Sequence, residues 1–174
     1  MKRKSKSAED EYLDLVDSEN NVVGKRRRSE IYALGLRNFR VINAFIVNTS
    51  GKLWIPRRTA DKRVFPLCLD VSVGGHVKSG ETCWDAFVRE ISEELNINIY
   101  EYDYRLMGKL TPEKDDVSAF MEVYEIATDV EPLYNKEDFV ESFWLYPHEV
   151  LERIDNGDIA KEDLPKLIRH FYCK

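Results

Sequence analysis

Residues 74–97 read GGHVKSGETCWDAFVREISEELNI, and this stretch predicts a glycine turn followed by a helix at about 82–95. Thr82 is a favourable N-cap, and Asp85 three residues later completes a capping pair. At the helical period, the apolar side chains of the segment fall on one stripe, which we expect to face the core. The stripe consists of Trp84, Phe87, Val88, Ile91 and Leu95.

Three acidic residues share a different face of the predicted helix. Glu90, Glu93 and Glu94 follow the spacing i, i+3, i+4, so their carboxylates are close enough to repel each other. Each such pair costs about a few tenths of a kcal/mol, which a hard divalent cation would offset. Mg²⁺ takes oxygen ligands and completes its shell with water and substrate phosphates. This spacing leaves two interpretations open, a metal site and a solvated acidic face.

Glycines and one arginine surround this acidic face. Gly74, Gly75 and Gly80 bracket the helix entry, where backbone N–H groups can hold an anion and the missing side chains allow close approach. Arg89 directly precedes the first of the three glutamates and lies away from the apolar stripe, from where it can reach the loop that carries Glu81. This context favours the metal site over the solvated face.

With these spacings, the stretch resembles the Nudix box: glycine, five residues, glutamate, seven residues, and then R-E-U-x-E-E-x-G-U, where U is a bulky aliphatic residue. Only the last glycine differs. Asn96 stands at that position, and asparagine is the next best residue for the left-handed conformation at a helix end. The residues at the motif positions are Gly75, Glu81, Arg89, Glu90, Ile91, Glu93, Glu94, Asn96 and Ile97.

The resemblance implies an α/β (α+β) Nudix fold with a site for Mg²⁺ or Mn²⁺. Glu90, Glu93 and Glu94 would be metal ligands, and the carbonyl oxygen of Gly75 is a further candidate ligand. Either Glu90 or Glu93 would also orient or deprotonate the attacking water.

The resemblance further implies that Glu81 and Arg89 form an ion pair that fixes the loop to the helix. The reaction would be metal-dependent hydrolysis of a diphosphate linkage in a nucleoside diphosphate derivative. A small nucleotide is the expected substrate, a nucleoside di- or triphosphate with pyrimidine nucleotides among the candidates. The chemistry agrees, because a carboxylate-bound metal lowers the pKa of water and clamps a diphosphate.

Most of the chain resembles one Nudix branch, which contains isopentenyl diphosphate isomerases and related small bacterial hydrolases. In the isomerases, the residues that match Arg58 and Lys62 hold the substrate diphosphate. The isomerases also need a proton-transfer cysteine where this chain has Gly74, so hydrolysis is favoured over isomerisation. His76 matches one of their metal ligands and is an auxiliary candidate. A non-catalytic nucleotide-binding domain is a third interpretation, although no glutamate of the box is missing.

A later strand carries two further carboxylates. The period of two places Glu122 and Glu125 on opposite faces of a strand predicted at 118–128, so at most one of them can join the site. Of the two, Glu125 is favoured as the auxiliary carboxylate.

Hydrophobic patterning in the rest of the chain predicts a mixed sheet. An Asx-rich turn joins two strands into an N-terminal β-hairpin, and two helices close the chain. Helices on both sides of the strands indicate an α/β/α sandwich around a mixed β-sheet. The predicted strands lie at about 12–28 and 41–58, each as a hairpin, and at 68–75, 118–128 and 142–147.

Composition sets the remaining expectations. Residues 1–10 have almost no apolar content, which predicts a disordered tail before a single domain at 11–174, with the box at 75–97. A net charge of −6 argues against stable nucleic-acid binding, and no apolar run is long enough for a membrane helix. Three scattered cysteines indicate reduced thiols in a cytoplasmic protein. The resemblance to Nudix proteins implies a monomer or homodimer.

Overall fold

A six-stranded mixed sheet forms the centre of the fold in the computed structural model, which describes residues 10–173. The strands are β1 (Tyr12–Val16), β2 (Val22–Arg27), β3 (Arg40–Val47), β4 (Leu53–Arg58), β5 (Val73–His76), β6 (Asp103–Leu110), β7 (Phe120–Ala127) and β8 (Phe139–Leu145). The helices are α1 (Arg28–Ala33), α2 (Cys83–Leu95), α3 (Pro112–Asp115), α4 (Pro147–Asp155) and α5 (Asp163–Tyr172), with a 3-10 turn at Ile99–Glu101. None of the helices within residues 10–173 has the length and apolar character needed to cross a membrane.

The sheet is sandwiched between helices. Its order is β6-β7-β3-β4-β8, with β3 and β7 parallel and β5 paired to the other end of β3. Alternation along β3 sends Ile42, Ala44 and Ile46 toward α2, whereas Phe45 packs with α4 and α5 on the opposite face. The predicted α/β/α sandwich around a mixed sheet is therefore confirmed.

Helix α2 docks through the predicted apolar stripe. Phe87, Ile91 and Leu95 are buried, while Trp84 and Val88 pack at the margin of the same cluster. The Phe87 ring stacks on Tyr124 of β7 with centroids 4.2 Å apart. This docking fixes the rotation of the helix and turns its acidic residues toward β5.

Two strands differ from the sequence prediction. The strand predicted to stop at the paired glycines begins at Val73 and continues through both of them to His76. Gly74 and Gly75 pair with Asn43 and Ile42 of β3, so the glycines are part of the sheet. Strand β6 was not predicted, because its sequence DYRLMGKL is interrupted by polar residues and a bulge opposite β7.

The N-terminal hairpin is present as predicted, and a short helix follows it directly. Strands β1 and β2 pair around a turn in which Asp17 accepts hydrogen bonds from the backbone N–H groups of Glu19 and Asn21, both at 2.9 Å. The second strand ends at Arg27, and α1 begins at the next residue. Apart from Asp10, the predicted tail lies outside the described residues.

A buried serine holds the sheet together where β3 and β4 separate. The two strands pair only at Val47 and Leu53, next to their turn. Between them, the Ser72 hydroxyl accepts a hydrogen bond from the Ile46 N–H (2.8 Å) and donates one to the Trp54 carbonyl (2.6 Å). Ser72 has no solvent exposure, so it satisfies two backbone groups that water cannot reach.

We expect Ser72→Ala to destabilise the protein by about 1–3 kcal/mol, because it leaves a buried N–H and a buried C=O unpaired. Urea unfolding followed by circular dichroism measures this change. Ser50→Ala, at an exposed turn, is the matched control and should remain within about 0.5 kcal/mol of the wild type. Equal stability of the two variants would contradict the bridging role of Ser72.

Candidate functional site

Helix α2 and strand β5 are in such close contact that one glutamate lies directly on a glycine. A Cβ atom at Gly75 would stand 2.3–2.4 Å from the carboxyl group and Cγ of Glu90, far closer than a Cβ atom approaches atoms to which it is not bonded. The Glu90 residue is only 8% exposed. Position 75 must therefore be glycine as long as Glu90 keeps this placement.

Arg89 ties the loop before the helix to the helix itself. Its guanidinium donates to both carboxylate oxygens of Glu81, at 2.7 and 2.8 Å, and to the His76 carbonyl at 2.9 Å. A further hydrogen bond reaches Glu90. Burial would raise the pKa of Glu81, but hydrogen bonds from Arg89 and the Lys78 N–H outweigh it and hold that pKa below its ordinary value. The structure thus contains the ion pair expected from the sequence.

A second carboxylate, that of Glu94, lies close to Glu90 on the same side of α2. It faces the Gly74 N–H at 3.5 Å. Burial, and after it the charge of Glu90, raises the pKa of Glu94 well above its ordinary value, with smaller contributions from Asp138 and Asp70. A positive charge next to Glu90 and Glu94 would relieve the repulsion between their carboxylates. For this reason the pair is expected to attract a cation.

The donor chemistry of this face suits Mg²⁺ or Mn²⁺. Carboxylates of Glu90, Glu93 and Glu94, with the Gly75 carbonyl, form an all-oxygen set, and the glycine lets backbone and carboxylate approach closely. Within residues 10–173, however, no three His, Cys, Asp or Glu side chains are gathered tightly enough to form a ligand cluster. The residues present fit the cation by chemistry, and the ligand set stays a prediction.

The C-terminal turn of α2 is fixed by two asparagines. Asn96 adopts the left-handed conformation, with φ 57° and ψ 28°, as expected for the residue that replaces the last glycine of the motif. Its side chain donates to the Leu133 carbonyl at 2.6 Å. Asn135 donates to the carbonyls of Glu93, through its side chain, and of Glu94, through its backbone at 2.9 Å.

Arg58 serves as a clamp for the loop that follows β4. Its guanidinium donates to the carbonyls of Val64 and Phe65, both at 3.0 Å, and to the buried Asp70 carboxylate at 2.9 Å. These contacts occupy its Nε, Nη1 and Nη2 atoms. The predicted role of Arg58 in binding a diphosphate stays a prediction, and it would require some of these contacts to open.

Lys62 lies closer to the acidic face. Its ammonium group donates to Asp138, and the Asp138 N–H donates to the carbonyl of Asn135, the residue that holds the C-terminal end of α2. The backbone N–H of Thr59 also donates to the Asp138 carbonyl at 3.1 Å, so the two loops are joined. A cation beside the carboxylates is suitably located to contact a phosphate group.

A cleft of about 840 Å³ opens beside Glu93. This volume falls in the range of sites for small organic ligands. Its walls combine amides, carboxylates and aliphatic side chains from α2, the 3-10 turn and the loop before β8. The lining residues are Val88, Ser92, Glu93, Asn96, Ile97, Asn98, Ile99, Asn135, Glu137 and Asp138.

The structure corrects the prediction for Glu125. This carboxylate accepts a hydrogen bond from Tyr172 of α5 (2.8 Å) and pairs with Arg105 (2.8 Å), so it lies on the sheet face opposite α2. Glu122 is on the α2 face, where it pairs with Lys109 at 2.7 Å. The period of two was correct, but sequence alone could not show which face of β7 meets α2.

His76 is held by aromatic neighbours. Its Nε2 is 2.8 Å from the Tyr32 hydroxyl, and its ring stacks on Phe39 with centroids 5.8 Å apart. Burial, together with nearby positive charges, lowers the pKa of His76 to about 3, so the ring is neutral. Its role as an auxiliary metal ligand stays a prediction.

Three residues near the carboxylates were not identified from the sequence: Asp70, Asn135 and Asp138. Asn135 and Asp138 lie in an irregular segment, where no period of 2 or 3.6 marks a face, and Asp70 lies in the segment 68–75 that was predicted to be a strand. Their proximity to α2 arises from contacts across long sequence separations, so no local signal could have revealed them.

Comparisons with known proteins identify the family and the fold of this chain. A family model described as NUDIX domain matches residues 37–167. An uncharacterized Nudix hydrolase from Nostoc sp. is 60% identical over 163 residues, covering 94% of this chain and 96% of that protein. A Nudix hydrolase from Deinococcus radiodurans is 46% identical over 163 residues, covering 94% and 95%. The crystal structure of DR0079 from Deinococcus radiodurans matches with a TM-score of 0.88 and 45% identity, covering 93% of this chain and 99% of that one.

We expect Gly75→Ala to displace Glu90 and to destabilise the protein by about 1–3 kcal/mol, the usual cost of overpacking. Thermal and urea unfolding measure the stability, and a crystal structure of the variant locates Glu90. Gly24→Ala is the matched control, since a Cβ at Gly24 meets nothing within 4 Å. An unchanged Glu90 position in Gly75→Ala would show that the contact does not constrain this residue.

Proposed function

The chain belongs to the NUDIX domain family, and from this premise we propose that it hydrolyses a diphosphate linkage in a small nucleotide, using Mg²⁺ or Mn²⁺. One observation carries the proposal: the arrangement of α2 on β5, in which Glu90 lies on Gly75 and Arg89 holds Glu81. The proximity of Glu90 to Gly75 and the hydrogen bonds from the Arg89 guanidinium to Glu81 support the proposed site.

In the proposed mechanism, Glu90, Glu93 and Glu94, with the Gly75 carbonyl, would hold the metal ion. When bound, it would neutralise charge on the diphosphate oxygens and make the attacking water more acidic. Either Glu90 or Glu93 orients the water and accepts a proton from it. The oxygen of this water then forms a bond to a phosphorus atom of the diphosphate while the bridging P–O bond breaks. The leaving phosphate group keeps the electron pair of the broken bond.

The basic residues would act on the substrate and the scaffold. Lys62 would bind a phosphate group of the substrate, which would replace Asp138 as the partner of its ammonium group. Arg58 would hold the same loop in place or bind the phosphate together with Lys62. Arg89 and Glu81 keep the turn before α2 fixed and do not themselves move a proton. The cleft beside Glu93 would accept the nucleoside part of the substrate.

The isomerase interpretation has less support. The relatives reported above carry the name Nudix hydrolase, and position 74 has no side chain for proton transfer. A Cβ at Gly74 would lie 3.1 Å from Asn43 and 3.2 Å from Val71, so a cysteine there would need its neighbours to shift. The isomerase-related branch, pyrimidine preference, a cytoplasmic location and a monomer or homodimer remain predictions.

Product identification tests the proposal. The purified protein is incubated with Mg²⁺ or Mn²⁺ and a panel of nucleoside di- and triphosphates, nucleotide sugars, dinucleotides and isopentenyl diphosphate. Chromatography with a phosphate assay separates the outcomes. Metal-dependent release of a nucleoside monophosphate would support the hydrolase function. Formation of dimethylallyl diphosphate from isopentenyl diphosphate would show instead that the protein is an isomerase. Tight binding without turnover would indicate a non-catalytic nucleotide-binding domain.

We expect Glu93→Gln to lower turnover by about 100-fold or more, because it removes a carboxylate from the proposed site while keeping its shape. Stability should be unchanged or slightly raised, by less than about 0.5 kcal/mol, since repulsion with neighbouring carboxylates is relieved. Steady-state kinetics and thermal unfolding measure the two quantities. Glu152→Gln, exposed on α4, is the matched control and should keep wild-type turnover. Full activity of Glu93→Gln would refute the proposed metal site.

A further inference from the structure

The last turn of α2 has backbone carbonyls that the helix itself cannot satisfy. The Asn96 N–H bonds to the carbonyls of Ile91 and Ser92 and closes part of this turn. The carbonyls of Glu93 and Glu94 remain for partners outside the helix. These two residues are also the ones whose side chains form part of the proposed metal site.

Asn135 satisfies both of these carbonyls. Its side-chain Nδ2 donates to the carbonyl of Glu93, and its backbone N–H donates to the carbonyl of Glu94 at 2.9 Å. Its Oδ1 accepts a hydrogen bond from the Asn96 side chain at 3.3 Å. One residue, distant in sequence, therefore contacts the helix end at three points.

The same residue also fixes the loop that carries a partner of Lys62. The Asn135 carbonyl accepts hydrogen bonds from the N–H groups of Asp138 (2.9 Å) and Phe139 (3.1 Å), which forms a tight turn at the start of β8. In this turn Asp138 accepts a hydrogen bond from the Lys62 ammonium. Asn135 therefore links the C-terminal end of α2, which carries Glu93 and Glu94, to the loop after β4, which carries Lys62.

From these contacts we infer that Asn135 is a positioning residue for the carboxylates of Glu93 and Glu94. The inference rests on the proposed function and extends it to a residue outside the box. The backbone of a helical turn sets where its side chains start, so a turn held at two successive carbonyls keeps both carboxylates in one arrangement. Residues that orient metal ligands commonly change metal affinity or activity by about 10–100-fold when they are replaced, and we expect the same of Asn135, which holds the backbone of two proposed ligands.

A titration of Mn²⁺ without substrate tests the inference. Free Mn²⁺ is followed by electron paramagnetic resonance for the wild type, Asn135→Ala and Asn135→Gln, and kcat and KM are measured separately. Asn135→Gln keeps an amide but moves it by one methylene group, which serves if the alanine variant fails to fold. Asn48→Ala is the matched control, because it also removes a hydrogen bond between an asparagine side chain and the backbone, here one that the Lys52 N–H donates to the Asn48 Oδ1 in the β3–β4 turn. Circular dichroism melts confirm that each variant is folded.

The expected result is Mn²⁺ affinity at least about tenfold weaker in the Asn135 variants, with kcat lowered more than KM is raised. Asn48→Ala should remain within about twofold of the wild type in both quantities. Wild-type Mn²⁺ affinity and kcat in a folded Asn135→Ala, even with a lower melting temperature, would overturn the inference and leave the proposed function intact. A wild type that neither binds Mn²⁺ nor turns over any substrate would remove the proposed function and the inference together.

Discussion

The close contact between α2 and β5 is the constraint on which the site depends. Glu90 occupies the space that a side chain at Gly75 would need, so helix and strand approach each other at a distance that only glycine permits. The apolar stripe of α2 supplies the attraction, through Phe87 and Ile91 in the core. Rotation and depth of the helix are thereby fixed together, and the acidic residues have no freedom to turn away from the strand.

This contact brings charges of the same sign together, and the surrounding structure offsets their repulsion. Burial of Glu90 and Glu94 would be unfavourable if no donor were near. Arg89 donates to Glu90, and the Gly74 N–H faces Glu94. The same arginine binds Glu81 through two hydrogen bonds, a geometry that guanidinium groups form well. These donors offset part of the cost of placing the two carboxylates side by side.

Two irregular segments meet near the C-terminal end of the helix. The loop after β4 is clamped by Arg58, and it meets the loop before β8 through Lys62 and Asp138. The second loop caps the end of α2 through Asn135. Ser72, where β3 and β4 separate, bridges the divided part of the sheet under this assembly. Loops held by ionic and capping contacts can provide specificity while the sheet remains unchanged.

The sequence by itself determined the helix, its apolar face, its acidic face and the glycine beneath it, because helical period and capping are local properties. The Nudix motif could be recognised for the same reason, as all of its positions lie between 75 and 97. Tertiary structure alone decided which face of β7 meets α2, and so moved Glu125 away from the site. It also decided that Asn135 and Asp138 approach the end of α2. The local sequence pattern does not distinguish one face of a strand, or one path of a loop, from another, and only packing between distant segments selects between them.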